Sequence, residues 1–261
     1  MTTIEQSYAS PGLYPKLGIL AAGLFLVGTN AFVIAGLLPD IAAGLNVHTT
    51  DVSLSITYYS LVVAVAAPAI SILLPRVPRT TLIVAGLVVF IVGGFIAVVA
   101  DSLLQFTIGR IIAGLGGAAI VPTATAAAAA LAPVARRGRA LAFVGIGFTL
   151  ATAVGAPLGT ALGSVGGWRL PLGILVGLAA VVAVVVALFV RGVPLAPPTS
   201  VGERFSILAD RRIVAPLVTT LFISRALTSI TSSARRSRRR RPAGRADCSP
   251  RCFCRSESPA L

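Results

Sequence analysis

Apolar residues in this chain come in long blocks separated by short polar connections. Six blocks reach the length of about 20 residues that a helix needs to cross a hydrocarbon core. They cover roughly residues 17–38, 54–74, 81–100, 103–126, 140–163 and 170–190. The third carries no charge, the fourth is broken once, by Arg110, and the fifth is rich in glycine. A seventh apolar run, residues 213–224, stops after 12 residues at Arg225 and is too short to span.

The polar connections give the topology. Lys16 precedes the first block, and the connection after it holds Asp40, His48 and Asp51 with no Lys or Arg. Arg76 and Arg79 follow the second block, only Asp101 the third, Arg136, Arg137 and Arg139 the fourth, and only Arg169 the fifth. After the sixth come Arg191, Arg204, Arg211 and Arg212. Basic residues thus favour every second connection, and the positive-inside rule puts both the N-terminus and the segment after block six in the cytoplasm. The first block is too long for a signal-peptide core and reads as a retained span. The expected organisation is a cytoplasmic N-terminus at 1–16 and a six-helix transmembrane domain at 17–190. A cytoplasmic linker follows at 191–212, marked by Pro194, Pro197 and Pro198. A truncated seventh helix is expected at 213–228 and a disordered basic tail at 229–261.

Composition agrees with lipid as the solvent. The 261 residues are 56% hydrophobic and 11% charged, against about 25% charged in soluble domains. The net charge of +14 is uneven. The first 224 residues hold 12 Lys and Arg against 6 acids, and the last 37 hold 10 Arg against 2. All three cysteines, Cys248, Cys252 and Cys254, also lie in the tail. The body offers no nucleotide loop, paired intramembrane carboxylates, zinc spacing or nucleophile motif. The "GLGG" at 114–117 follows no strand and is no dinucleotide fingerprint. No enzyme, cofactor or metal is expected, and nucleic acid is not an expected partner.

A few polar and small residues inside the apolar blocks are candidates for chemistry. Arg110 stands about two turns into the fourth block, where an arginine costs about 2.5–3.5 kcal/mol at a helix centre and less near an end. It either snorkels and packs the bundle, or faces a polar cavity and biases protonation or binding of a partner. Gly109, Ala113 and Gly117 beside it offer a small face for close helix approach. Asn30, mid-block in the first span, needs a hydrogen-bond partner in hydrocarbon, and a structural bond between helices and a substrate contact are equally open. In the fifth block Gly147, Ala151, Gly155, Gly159 and Gly163 recur every four residues and share one helix face. Pro157 should kink that helix, which makes it a packed, bendable element at a gate. Asp40 reads as a residue at the outer end of the first helix, and His48 as a solvated loop residue.

These residues resemble the major facilitator superfamily, and within it the drug/proton antiporters similar to chloramphenicol-resistance and arabinose-efflux permeases. "GTNAFVIAGLLPDIAAGLNV" is similar to the group's first helix and outer loop, and "GRIIAGLGGAA" to its fourth-helix motif. "GFTLATAVGAPLGTALG" is similar to its antiporter motif in helix five. "GGWR" at 166–169 and "DRRI" at 210–213 fit the next landmarks. The resemblance implies an all-α membrane protein whose six-helix bundle is the N-terminal half of a major facilitator fold. It also implies a proton-relay role for Arg110. The family's loop pattern Gly-x-Leu-x-Asp-Arg-x-Gly-Arg reads "SILLPRVPR" here, keeping Arg76 and Arg79 but placing Pro75 where the acid stands. The gating salt bridge attributed to that acid does not carry over. Neither does the acid that related first helices often carry where Asn30 and Ala31 stand here.

The resemblance implies transport of a small amphipathic molecule or drug, exchanged for protons, across a bacterial inner membrane. The family has twelve helices, so the expected partners, besides substrate, protons and lipid bilayer, are a missing second six-helix half or a second copy. The chain alone is not expected to transport. The tail fits an anionic-surface patch, a zinc site lacking its fourth ligand, or out-of-frame translation, the last favoured by its Arg, Ser, Pro, Ala and Cys vocabulary. The alternative reading is a membrane scaffold or degenerate product that does not transport and whose basic tail binds anionic surfaces.

Overall fold

The computed structural model describes residues 13–75 and 77–190, together with Thr219. The expected linker at 191–212, the seventh helix at 213–228 (Thr219 apart), the tail at 229–261 and Arg76 lie outside the described residues.

Every regular element among the described residues is helical. The elements are α1 (Leu13–Leu45), α2 (Thr49–Leu73), α3 (Arg79–Val98), α4 (Leu103–Leu131), α5 (Arg137–Leu150), α6 (Ala156–Gly166) and α7 (Arg169–Phe189). A short 3-10 turn, Val134–Arg136, leads into α5, and a π-helical turn, Ala151–Gly155, joins α5 to α6. Together Val134–Gly166 is one span, so six helical segments among the described residues are long and apolar enough to cross a membrane.

Several helices outrun their apolar blocks. α1 passes through Pro39 and Asp40 to Leu45 instead of ending near residue 38. Pro39 cannot donate a hydrogen bond, yet Leu37, Ile41 and Leu45 recur on one face and are buried. Packing of that face carries the helix past the proline. α4 likewise runs past Pro122, with Ala124, Ala127 and Ala128 buried beyond it. At Pro157 the outcome differs from a simple kink: the chain widens into the π turn just before it, and Pro157 then sits in the first turn of α6. A proline at the start of a helical segment loses no bond there, and a widened turn relieves the crowding of its ring.

Contacts at the helix ends fix the direction of each span. At one end Arg79 donates to the Ala126 carbonyl, the Thr80 hydroxyl donates to the Val190 carbonyl at 2.6 Å, and the Tyr14 and Phe143 rings meet edge to face. At the other end Arg169 donates to the carbonyls of Val98 at 3.1 Å and Ala100 at 2.7 Å, and pairs with Asp101 at 3.2 Å. The Arg169 guanidinium also lies over the Trp168 ring, 4.4 Å from its centroid. Gly167, at φ 75°, turns the chain from α6 into α7 with a conformation that other residues resist.

The closest packing joins backbones. A Cβ at Gly93 would lie 2.7 Å from the Gly109 carbonyl oxygen, and one at Gly109 would lie 2.7 Å from the Ala97 nitrogen. α3 and α4 therefore touch main chain to main chain, as small residues permit in lipid, where side-chain burial gives little drive between helices. Large apolar side chains such as Leu61, Val65, Phe95, Ile146, Val181 and Leu188 are exposed, which suits a hydrocarbon solvent. Hydroxyls on the outer faces of α2 and the fifth span turn back on their own helices. Ser60 donates to the Ile56 carbonyl at 2.9 Å, Thr152 to that of Thr149 at 2.7 Å, and Ser164 to that of Ala161 at 2.7 Å.

Candidate functional site

The site is built where α1, α2 and α4 meet. Ser102 caps α4, accepting from the Gln105 backbone N–H at 3.3 Å, and starts the helix so that Arg110 falls two turns in. Arg110 is 1% exposed and is the largest fully buried side chain among the described residues. Its Nη1 donates to the Asn30 carbonyl of α1 at 3.3 Å. Its guanidinium carbon lies 4.2 Å from the centroid of the Tyr59 ring of α2. Such a stack stabilises a desolvated cation by about 2 kcal/mol, and guanidinium, planar and weakly hydrated, suits it better than ammonium.

Tyr59 reaches this position because α4 has no side chains in its way. A Cβ at Gly114 would meet the ring at 3.3 Å, and one at Gly117 would meet the hydroxyl at 3.2 Å. Asn30 is also buried, and its side chain adjoins the Tyr59 hydroxyl without forming a well-made hydrogen bond. Arg110 and Asn30, picked out separately in the sequence, are thus in direct contact. The contact uses the Asn30 backbone carbonyl, and the Asn30 amide nitrogen finds no partner among the described residues. Tyr59 escaped the sequence reading. Its signal was a phenolic hydroxyl in the second apolar block, a group with the same need for a partner as the Asn30 amide.

The five small residues of the fifth span form one seam against α1. Gly147 faces Ala21, Ala151 faces Gly28, Gly155 faces Thr29, Gly159 faces Val33, and Gly163 faces Leu37. Numbers rise together on both sides, so the two spans run parallel. The π turn lies in the middle of this seam, against Gly28 and Thr29, next to the residue whose carbonyl holds Arg110. Pro157 follows that turn on the exposed side. Arg79 lies away from this site, at the α2–α3 turn, where it ties the start of α3 to α4. Asp40 is inside α1 and exposed, and His48 is the exposed residue that precedes α2. Among the described residues no group of His, Cys, Asp and Glu could hold a metal.

The chain matches the Major Facilitator Superfamily over residues 20–239. It is 31% identical over 232 residues to the inner membrane transport protein YdhP of Escherichia coli (strain K12), covering 84% of this chain and 59% of that one. It is 30% identical over 207 residues to YbcL, an uncharacterized MFS-type transporter of Bacillus subtilis (strain 168), covering 79% of this chain and 53% of that one. It is 33% identical over 153 residues to a chloramphenicol resistance protein of Streptomyces lividans, covering 59% and 39%. The chain therefore spans between about two-fifths and three-fifths of the length of these relatives. Among solved structures, a bacterial homologue of the human lysosomal transporter Spinster superposes with TM-score 0.61 at 19% identity, over 74% of this chain and 46% of that one. The proton:xylose symporter XylE superposes with TM-score 0.62 at 16% identity, over 69% and 45%. At these identities the likeness is one of fold.

Proposed function

The chain belongs to the major facilitator superfamily, and from that membership we propose that it is one six-helix half of a transporter exporting a small amphipathic molecule against proton entry. The family and the fold are those of transporters, not enzymes, and the six apolar spans make this a multi-pass membrane protein. The proposed setting is a bacterial inner membrane, with the N-terminus and the turns bearing Arg79 and Arg136–Arg139 in the cytoplasm. A second six-helix half, or a second copy of this chain, completes the pathway, with substrate near the midplane between halves that rock around it.

Arg110 carries the reading. A fully buried cation with no acid beside it among the described residues is costly to keep for stability alone. In a transporter the charge has a use, since it disfavours a proton on nearby groups and favours an acceptor that arrives during the cycle. The parallel seam of α1 on the fifth span, with the π turn and Pro157, is proposed as the element that bends as the gate opens. Likeness to a chloramphenicol resistance protein makes chloramphenicol the first compound to try.

The test uses everted membrane vesicles with a pH-sensitive dye inside. The chain is examined at high density by itself and together with the second half of YdhP made as a separate chain. The expected result is proton movement on adding chloramphenicol or another amphipathic compound in at least one arrangement, lost with Arg110→Gln. Silence in both arrangements across a panel of such compounds overturns the proposal.

A further inference from the structure

The unpartnered polar atoms around Arg110 can all donate. Arg110 Nε and Nη2, Asn30 Nδ2 and the Tyr59 hydroxyl are buried, and none has a hydrogen-bond partner among the described residues. The guanidinium and amide nitrogens can only donate, and the phenol also carries a donor hydrogen. Buried groups left in this state are rare in native proteins, and each calls for an explanation.

No described carboxylate supplies one. Asp101 pairs with Arg169 at the far end of α3. Asp40 is ten residues beyond Asn30, about 15 Å along α1, and Asp51 is eight residues before Tyr59, about 12 Å along α2. The guanidinium is oriented all the same. One face lies against the Tyr59 ring and Nη1 is engaged by the Asn30 carbonyl. What remains is the edge formed by Nε and Nη2, two parallel N–H groups at the spacing that takes both oxygens of one carboxylate.

We propose that this edge, with the Asn30 amide and the Tyr59 hydroxyl, binds one carboxylate of an organic molecule, and that the cargo is an amphipathic organic acid. Tyr59 is the positioning residue, holding the guanidinium flat so that its edge stays aimed. Entry is from the α2 side. α2 buries only Val52, Ser55 and Tyr59, so a small outward shift of this helix, with the ring still stacked on the guanidinium, opens a way to the edge. The inference rests on the transporter reading only where it calls the acid a cargo; capture of the carboxylate stands on the geometry alone.

The experiment is equilibrium dialysis of radiolabelled benzoate against the purified full chain in detergent, with benzamide as the uncharged competitor. Benzoate is expected to bind saturably, one per chain, and benzamide not to displace it. Arg110→Lys keeps the charge but loses the paired edge, and is expected to weaken binding at least tenfold. Tyr59→Phe retains the stack but loses one donor to the carboxylate and is expected to weaken binding about tenfold, whereas Tyr59→Leu, which loses the stack as well, falls further. Three results overturn the proposal: displacement by benzamide, equal binding by Arg110→Lys, and no binding at all. The last means that a side chain elsewhere already fills the edge, or that the site takes no anion. Benzoate binding in a chain that moves no protons in vesicles removes the transporter reading and leaves this site standing. Proton movement without benzoate binding does the reverse.

Discussion

Adding one methyl group at Gly147 tests whether the seam between α1 and the fifth span is backbone-tight. A Cβ there would collide with the Ala21 carbonyl oxygen, and would lie 2.8 Å from its carbonyl carbon and 3.1 Å from its Cα. Carbon atoms pack at about 3.5–4.0 Å, and the obstacle is main chain, so no rotamer change makes room. One helix has to move outward by about 1 Å, opening gaps along the seam. Overpacking of this kind costs about 1–3 kcal/mol. Replacing Gly by Ala inside a helix returns about 1 kcal/mol, so Gly147→Ala should lose about 0–2 kcal/mol net. Gly145→Ala is the control. Nothing lies within 4 Å of a Cβ at Gly145, so this variant keeps the helix gain of about 1 kcal/mol with no clash. Gly163→Ala should fall between, since its Cβ meets the flexible end of Leu37. The assay is loss of helical signal on heating the purified chain in detergent. The two variants differ by the overpacking cost alone, so at about 2–4 °C per kcal/mol for a domain of this size Gly147→Ala should melt about 2–12 °C below Gly145→Ala. Equal melting of the two, or the reverse order, refutes a backbone-tight seam.

At the far end, Asp101→Asn should change stability little, because the ion pair to Arg169 is exposed, with 90% of the Asp101 side chain accessible. Arg169→Ala should unfold clearly earlier on the same melting assay, since it also frees the carbonyls of Val98 and Ala100 and strips the cover from Trp168. Orientation is checked with Cys248, Cys252 and Cys254 replaced by serine. Val77→Cys and Gly138→Cys should then react with a membrane-impermeant thiol reagent only from the cytoplasmic side, and Asn46→Cys and Ser102→Cys only from the other. Labelling of Val77→Cys and Gly138→Cys from opposite sides would contradict the direction of the spans.

Span number was legible because lipid imposes a length on each helix, and nearly unbroken blocks such as 81–100 and 170–190 leave little choice. Helix ends were less so. Pro39 and Asp40 looked like a terminus, and only the buried face of Leu37, Ile41 and Leu45 shows why α1 continues. Arg110 and Asn30 stood out because a polar group in hydrocarbon must be accounted for. Their meeting through a backbone carbonyl was hidden, because any residue could have supplied that oxygen. Tyr59 was hidden for another reason. Tyr58 and Tyr59 are adjacent, and which one turns inward depends on the phase of the narrow stripe Val52, Ser55, Tyr59. The small face of the fifth span was plain from its four-residue spacing, but its register on Ala21, Gly28, Thr29, Val33 and Leu37 exists only in three dimensions.

The self-bonded hydroxyls of Ser60, Thr152 and Ser164 have a mechanical consequence. Each satisfies its proton within its own helix, so a surface pressed against them gains contact area and can tether to them only by donating. Parting such surfaces leaves none of these three hydroxyl protons stranded in oil. Adhesion there is smooth and reversible, as in a bearing, and any catch that holds one posture over another has to lie elsewhere along the helices.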